Sequence, residues 1–198
     1  KYSPTLRFVV FGAMSYTAVS LQGSLQSFRY WQEVTHFTHY TIAHSHLGVY
    51  AFATMIAFGA IYYIMPRVTD WEWGSKRLVS LHFWTTGLGI GAYFTALTIG
   101  GVIQGFQLLD PDVAFLEIVD DTKPWLIVRS VSGTLMTIGH LVFAYLLARI
   151  VTRSGERPEG PTYFHPVPEG TFAHVGGDGS RSARVPSTGP EATGPEDR

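Results

Sequence analysis

The sequence predicts an all-α protein: a polytopic transmembrane helix bundle of about four spans, followed by a disordered tail. Three observations carry that prediction. Only 15% of the 198 residues are charged and 46% are hydrophobic, whereas about a quarter of a soluble domain is charged. The mean hydropathy of the whole chain, tail included, is +0.14. The apolar residues also gather into runs of roughly 20 or more, the length a helix needs to cross a hydrocarbon core about 30 Å thick.

The first run, "RFVVFGAMSYTAVSLQGSLQSF" over 7–28, is diluted by Ser, Thr, Tyr and Gln, so this helix is expected to turn a polar face toward its neighbours. The second covers 41–65 and is expected to stop at Pro66, because proline lacks an N–H and its ring clashes with the preceding turn. The third, 78–105, carries Gly87, Gly89, Gly91, Gly100 and Gly101, small residues that let helices approach closely. The fourth, 125–150, contains "SGTLMTIG", a second small-residue face. Tyr30, Trp31, Tyr62, Tyr63, Trp71, Trp73 and Trp125 stand at the ends of these runs, where an interfacial aromatic belt is expected.

Charge orients the bundle. Arg67, Lys76 and Arg77 fall between the second and third runs, and Arg149, Arg153 and Arg157 follow the fourth. The positive-inside rule then places both termini in the cytoplasm. The connection "LLDPDVAFLEIVDDTK" is acidic and is expected outside. The bundle thus occupies 1–153, and 154–198, rich in Pro, Gly, Ser and charge, is expected to be a disordered cytoplasmic tail, since such a composition buries too little surface to offset chain entropy. "KYSPTLRF" has neither an initiator Met nor signal-peptide features, so the chain is expected to begin inside a longer protein.

Composition excludes whole classes of chemistry. A net charge of −1 with no basic stripe argues against nucleic acid as a partner. With no cysteine, disulfides, iron–sulfur clusters, zinc–thiolate sites and thiol nucleophiles are out, so a metal must be held by His or oxygen ligands. Eight histidines remain.

Two of them, His44 and His46, lie inside the second run in "TIAHSHLGVY". Helical residues advance about 100° each, so positions two apart point to nearly opposite faces. A shared metal would need a strand, whose backbone would be left unpaired in lipid. Opposite faces suit one helix standing between two metal centres, each taking one axial imidazole. Hydrogen bonding to neighbouring helices, or the lining of a proton path, is the alternative these residues leave open.

The segment "THFTHYTIAHSHLG" resembles the tenth transmembrane helix of subunit I of the haem-copper oxidases. The likeness extends through "TLRFVVFG", "LHFWTTGLGI", "TIGGVIQG" and "VRSVSGTLM", from Thr5 to about Arg153. Its nearest form is the C family, the cbb-type cytochrome c oxidases; Ser45 stands where the A family usually has a bulky aromatic. Nitric oxide reductases share the paired histidines and are the runner-up, and a haem-free proton-relay or transport bundle is the alternative from another class.

The resemblance implies the C-terminal part of a larger twelve-helix subunit that binds two haem groups, b-type in this family, in a bacterial inner membrane. His44 is implied as the axial ligand of the high-spin haem and His46 as one of two axial ligands of the low-spin haem. His36 and His39 fall where the fold would place haem propionates, with solvated loop histidines as the alternative; Arg129 is a further candidate for a propionate, because a guanidinium is permanently charged and pairs with a carboxylate in a bidentate way, with snorkelling at a helix end as its alternative. The copper ligands of the family lie on earlier helices, outside this chain, so oxygen reduction needs the rest of subunit I, the other oxidase subunits, and cytochrome c or another electron donor.

The second nitrogen of each ligand ring is expected to donate to a backbone carbonyl or hydroxyl. His82 and His140 are expected to be isolated, hydrogen-bonded packing residues on separate helices. Ser15, Tyr16, Thr17 and Ser20 are expected to hold helices together rather than to carry protons. Gln22 stands near a position where the cbb-type pattern tends to carry an acid, and an amide exchanges no proton as a carboxylate does.

Overall fold

The computed structural model describes residues 4–154; the expectations for Arg157 and for 155–198 lie outside the described residues. Every regular element among these residues is helical: α1 (Pro4–Gln26), the short α2 (Arg29–Thr35), α3 (His39–His46), a π-helical stretch (Leu47–Thr54), α4 (Met55–Thr69), α5 (Lys76–Leu109) and α6 (Phe115–Val151). The segments α3, π-helix and α4 run on without a break, so four helices are long and apolar enough to cross a membrane, 5–26, 39–69, 76–109 and 115–151. The all-α bundle of four candidate spans agrees with the sequence.

Helix α1 buries Thr5, Phe8, Gly12, Ser15 and Gln22, with Val19 partly buried between the last two, a stripe repeating every three or four residues that mixes polar and apolar side chains. The expected polar inward face is therefore only part of the stripe. Tyr16, Thr17 and Ser20 are exposed, and the Ser15 and Thr17 hydroxyls donate to the carbonyls of Phe11 and Ala13 within their own helix. These two hydroxyls bond within α1, because a carbonyl four residues back is the nearest acceptor for such short side chains, whereas the Tyr16 ring does meet another helix, 4.9 Å from that of Phe52.

The helix after His46 does not stop at Pro66. It continues to Thr69 and closes on Asp70, whose φ is 54°. Proline at 66 leaves the carbonyl of Tyr62 without its usual intrahelical donor. The indole N–H of Trp73 takes that place, 2.9 Å from the Tyr62 oxygen. The connection after α4 thus supplies the bond that proline removes, and the helix survives. Trp73 is consequently only 4% exposed, packed edge-on against the Tyr62 ring at 4.7 Å, not in an interfacial belt. The Trp125 ring lies over Gly100, where an added Cβ would stand 2.5 Å from Cγ.

Helix α6 begins at Phe115, ten residues before the expected start, and passes through Pro124. The acidic stretch after Asp110 is largely helix, not loop. Glu117 sits in the first turn, where a carboxylate complements the helix dipole. Lys123 pairs with Asp120 one turn away. At about 1.5 Å per residue a 37-residue helix is far longer than a bilayer core of about 30 Å, so its charged first turns have room outside it.

Close packing depends on α5. It lies antiparallel to α6 and takes α3 and α2 on another side. At Gly101 and Gly105 an added Cβ would collide with the backbone at Tyr40 and Val34, so the α2–α3 turn rests directly on α5. Gly89 and Gly100 are similarly close to α6, whereas Gly87 has ordinary spacing and Gly91 has nothing within 4 Å. Without a hydrophobic drive between helices in lipid, such close approach is what holds them together. The main core lies at the Trp73 end, where Phe8, Met55, Phe58, Tyr62, Phe83 and Leu146 pack together, and a smaller one forms around Leu47, Ala51, Ile90 and Met136.

Candidate metal centre

Residues 38–46 build the site. Thr38 caps α3, accepting from the Tyr40 N–H at 3.3 Å. Beside it the Gln104 side-chain oxygen accepts from both the backbone N–H and Nδ1 of His39, at 3.0 and 2.7 Å, which ties the start of α3 to α5. The last turn of α3 carries His44 and His46.

Their rings diverge. His44 is half-buried against α1, with Nδ1 3.2 Å from the side-chain oxygen of Gln22. Gly23 lies beneath the same ring: an added Cβ would stand 3.3 Å from Cε1 and 3.7 Å from Nε2. His46 faces α5, its ring 4.8 Å from that of Tyr93, and the Tyr93 hydroxyl is 3.4 Å from Nε2. His46 Nδ1 is 2.9 Å from the carbonyl of Ile42.

These partners decide the tautomers. A peptide carbonyl and an amide oxygen are acceptors only, so both Nδ1 atoms are the protonated donors and both Nε2 atoms keep a lone pair. For His46 the acceptor is a backbone carbonyl, as expected. For His44 it is the Gln22 amide, neither carbonyl of the backbone nor hydroxyl, because the buried Gln22 side chain (7% exposed) reaches the ring before any such group. The helix then widens immediately: Leu47–Thr54 is π-helical, and the Thr54 hydroxyl donates to the Val49 carbonyl five residues back at 2.8 Å. Such widened turns often occur at functional sites. Among the described residues no three His, Cys, Asp or Glu side chains gather as a metal site, so these two histidines offer separate single donors.

Residues 2–135 match the family described as Cytochrome C and Quinol oxidase polypeptide I. The chain belongs to this family. Within it, the chain is 34% identical over 164 residues to a cytochrome c oxidase subunit 1 homolog, bacteroid, of Bradyrhizobium diazoefficiens, a match covering 77% of this chain and 29% of that protein. It is 32% identical over 161 residues to cytochrome c oxidase subunit 1 of Rhodobacter capsulatus, covering 76% and 30%. Against the cbb3-type cytochrome c oxidase subunit CcoN1 of Stutzerimonas stutzeri it is 29% identical over 155 residues, covering 75% and 33%. The fold is similar to a chain in a cryo-EM structure of a heme-copper terminal oxidase dimer, with a TM-score of 0.58 and 19% identity over 81% of this chain and 28% of that one. The chain thus spans about a third or less of the length of these relatives.

Membership in the oxidase subunit I family and four long apolar helices make this an integral membrane protein. The other expected site residues are scattered. His36, just past the end of α2, is exposed and bonded to Gln32 of that helix at 2.9 Å. His39 is held by Gln104. Arg129 is half-buried on α6. No hydrogen bond or ring contact joins these three to His44 or His46.

Three features were not anticipated. Tyr93 meets His46 from 47 residues away, and Gln22 meets His44 from 22 residues away; no local spacing signals either. His82 and His140 are not isolated: their rings are 6.4 Å apart across α5 and α6, and each is bonded to a tyrosine, Tyr62 and Tyr50.

Proposed function

We propose that this chain is the haem-binding part of a respiratory terminal oxidase catalytic subunit, in which His44 is the axial ligand of a high-spin haem and His46 one axial ligand of a low-spin haem. The observation that carries the proposal is the pair of divergent rings with both Nδ1 atoms engaged, which keeps a lone pair on each Nε2, that of His46 facing the Tyr93 hydroxyl. Imidazole must be neutral to coordinate iron, and a hydrogen bond from the second nitrogen fixes the ring and raises its basicity. Ligation also offsets the cost of two imidazoles within a membrane span.

The residues fit two haem groups. Gly23 keeps the side of His44 that faces α1 free of a side chain. On the other side of α3, Tyr93 lies against His46, and Arg129 on α6 suits a propionate by charge and planar geometry. His39, held by Gln104 through Nδ1, and the exposed His36 lie at the α2–α3 end and suit the same role. When bound, the haems, b-type in this reading, supply electron transfer and, with a copper held by residues outside this chain, the reduction of oxygen to water with proton uptake. The part of this chain is to hold the two rings on opposite sides of one helix.

The remainder follows from the family. The partners are the rest of subunit I, further oxidase subunits, and cytochrome c or another electron donor. Arg7, Arg67, Lys76, Arg77 and Arg149 belong to one end of the bundle, where Arg7 donates to Ser80 and Arg149 lies against Gly74. That clustering supports a cytoplasmic placement of this end, and hence of both termini, in a bacterial inner membrane.

The test is the reduced-minus-carbon-monoxide difference spectrum of the intact subunit carrying His44→Ala. Loss of the signal is expected; an unchanged spectrum would rule out His44 as the ligand of the high-spin iron.

A further inference from the structure

Away from the haem-ligand positions, the core at the Trp73 end holds four polar groups that packing alone does not call for. Tyr62 and His82 form one pair, with the hydroxyl 2.8 Å from Nδ1. Tyr50 and His140 form a second, with the hydroxyl 2.9 Å from Nε2. His82 is fully buried (0% exposed) among Phe8, Phe58 and Phe143, whose ring centres stand 5.3, 4.6 and 5.2 Å from its own. Its Nε2 has no hydrogen-bond partner. A buried nitrogen left so costs about 1–3 kcal/mol, and a phenylalanine would fill that place without the cost.

His82 packs against the part of α6 that carries His140. Cδ2, adjacent to Nε2, is 3.4 Å from where a Cβ on Gly139 would stand, and Gly139 precedes His140. The same glycine lets α6 close on Thr85 and Thr86, which an added Cβ would approach to 2.5 and 2.8 Å. The two imidazole centres are 6.4 Å apart. A water bonded to one nitrogen of each ring at about 2.9 Å fits that separation, and a buried water with polar partners is a normal part of a structure.

We infer that Tyr62, His82, His140 and Tyr50, joined between the two histidines by one water molecule, form a buried proton relay from the Trp73 end of the bundle to the level of Tyr50. Every member is both donor and acceptor: the tyrosine hydroxyls, the neutral imidazoles and the water each carry one proton to give and one lone pair to receive. A proton arriving at Tyr62 displaces that group's own proton to His82 Nδ1, His82 releases the one on Nε2 to the water, the water passes one to His140 Nδ1, and His140 gives up the one on Nε2 to Tyr50, whose own hydroxyl proton departs. One proton enters and one leaves, and no group keeps a net charge. Reversal of the hydrogen bonds resets the chain.

The relay has a direction in the fold. Tyr62 sits beside Trp73, in the segment where both carboxylate oxygens of Glu72 are buried. Tyr50 is 12 residues earlier on the same continuous helix, about 18 Å along its axis, and four residues beyond His46. The destination of the protons rests on the oxidase reading above; the relay itself does not.

Two measurements on the intact oxidase test it. In vesicles, proton uptake on reduction is followed with a pH-indicator dye for the parent, Tyr50→Phe and His140→Phe. At least tenfold slower uptake with unchanged haem spectra is expected; unchanged rates with unchanged spectra would overturn the relay. Should His140→Phe fail to accumulate, Tyr50→Phe, which removes only a hydroxyl, decides by the same criterion. Independently of haem, infrared spectra in deuterated buffer follow exchange at the His82 ring, identified by its loss in His82→Phe. Exchange within seconds, slowed more than tenfold by Tyr62→Phe, is expected, and a ring protected for hours would overturn the relay. A parent preparation lacking haem signals would overturn the oxidase reading alone.

Discussion

The side-chain oxygen of Gln22 lies 3.2 Å from Nδ1 of His44, across the packed faces of α1 and α3. An amide oxygen accepts this hydrogen bond without adding negative charge, so the imidazole donates less electron density through Nε2 than it would opposite a carboxylate. Replacing Gln22 with Glu should therefore favour the oxidised iron bound at His44. A tenfold bias between redox states corresponds to about 60 mV for one electron. The midpoint potential of the high-spin haem is expected to fall by on the order of 60 mV, with the iron–histidine stretch moving to higher frequency in the resonance Raman spectrum. A potential unmoved by Gln22→Glu would show that this bond does not reach the metal.

Gly23 makes a steric prediction at the same ring. An alanine Cβ would meet His44 Cε1 at 3.3 Å, which a shift of a few tenths of an ångström relieves. A valine adds two methyl groups and leaves no such escape. Gly23→Ala should retain the high-spin haem spectrum and Gly23→Val should lose most of it, with the low-spin spectrum kept in both. Equal haem content in the two variants would contradict the placement of His44.

Trp73 and Pro66 should be coupled. Trp73→Phe leaves the Tyr62 carbonyl without its donor, at a cost of about 1–3 kcal/mol, and should lower the thermal midpoint of the purified protein. Adding Pro66→Ala restores an intrahelical N–H for that carbonyl and should recover part of the loss. A double variant no more stable than Trp73→Phe alone would refute the substitution of one donor for the other.

Glycines on α5 should differ sharply. Gly101→Ala drives a Cβ into the backbone at Tyr40, while Gly87→Ala meets only Phe11 at 3.8 Å. Overpacking costs about 1–3 kcal/mol or more, so Gly101→Ala should reduce accumulation of the protein in membranes and Gly87→Ala should not. Comparable accumulation of both would mean that α3 does not rest on α5.

The spans were legible because length and apolarity alone define a membrane crossing, and the opposed directions of His44 and His46 followed from helical geometry. Their partners were not. Gln22, Tyr93, Tyr50 and Tyr62 reach their histidines across 20 to 90 residues of chain, a relationship no local pattern encodes. Pro66 misled because its lost bond is replaced from outside the helix, by a tryptophan that composition placed in an interfacial belt. The early start of α6 was hidden by its acidic residues and Pro124, which read as a loop when the favourable placement of Glu117 in a first turn is not known. The π-helical turns after His46 had no sequence sign at all.

The central claim is that one helix serves two separate haems, and His46→Ala in the intact subunit tests it most directly. The optical spectrum should lose the low-spin haem b component while the high-spin component and its carbon monoxide response persist. Retention of both components, or their joint disappearance from a protein that still accumulates in the membrane, would contradict the assignment of His44 and His46 to different irons.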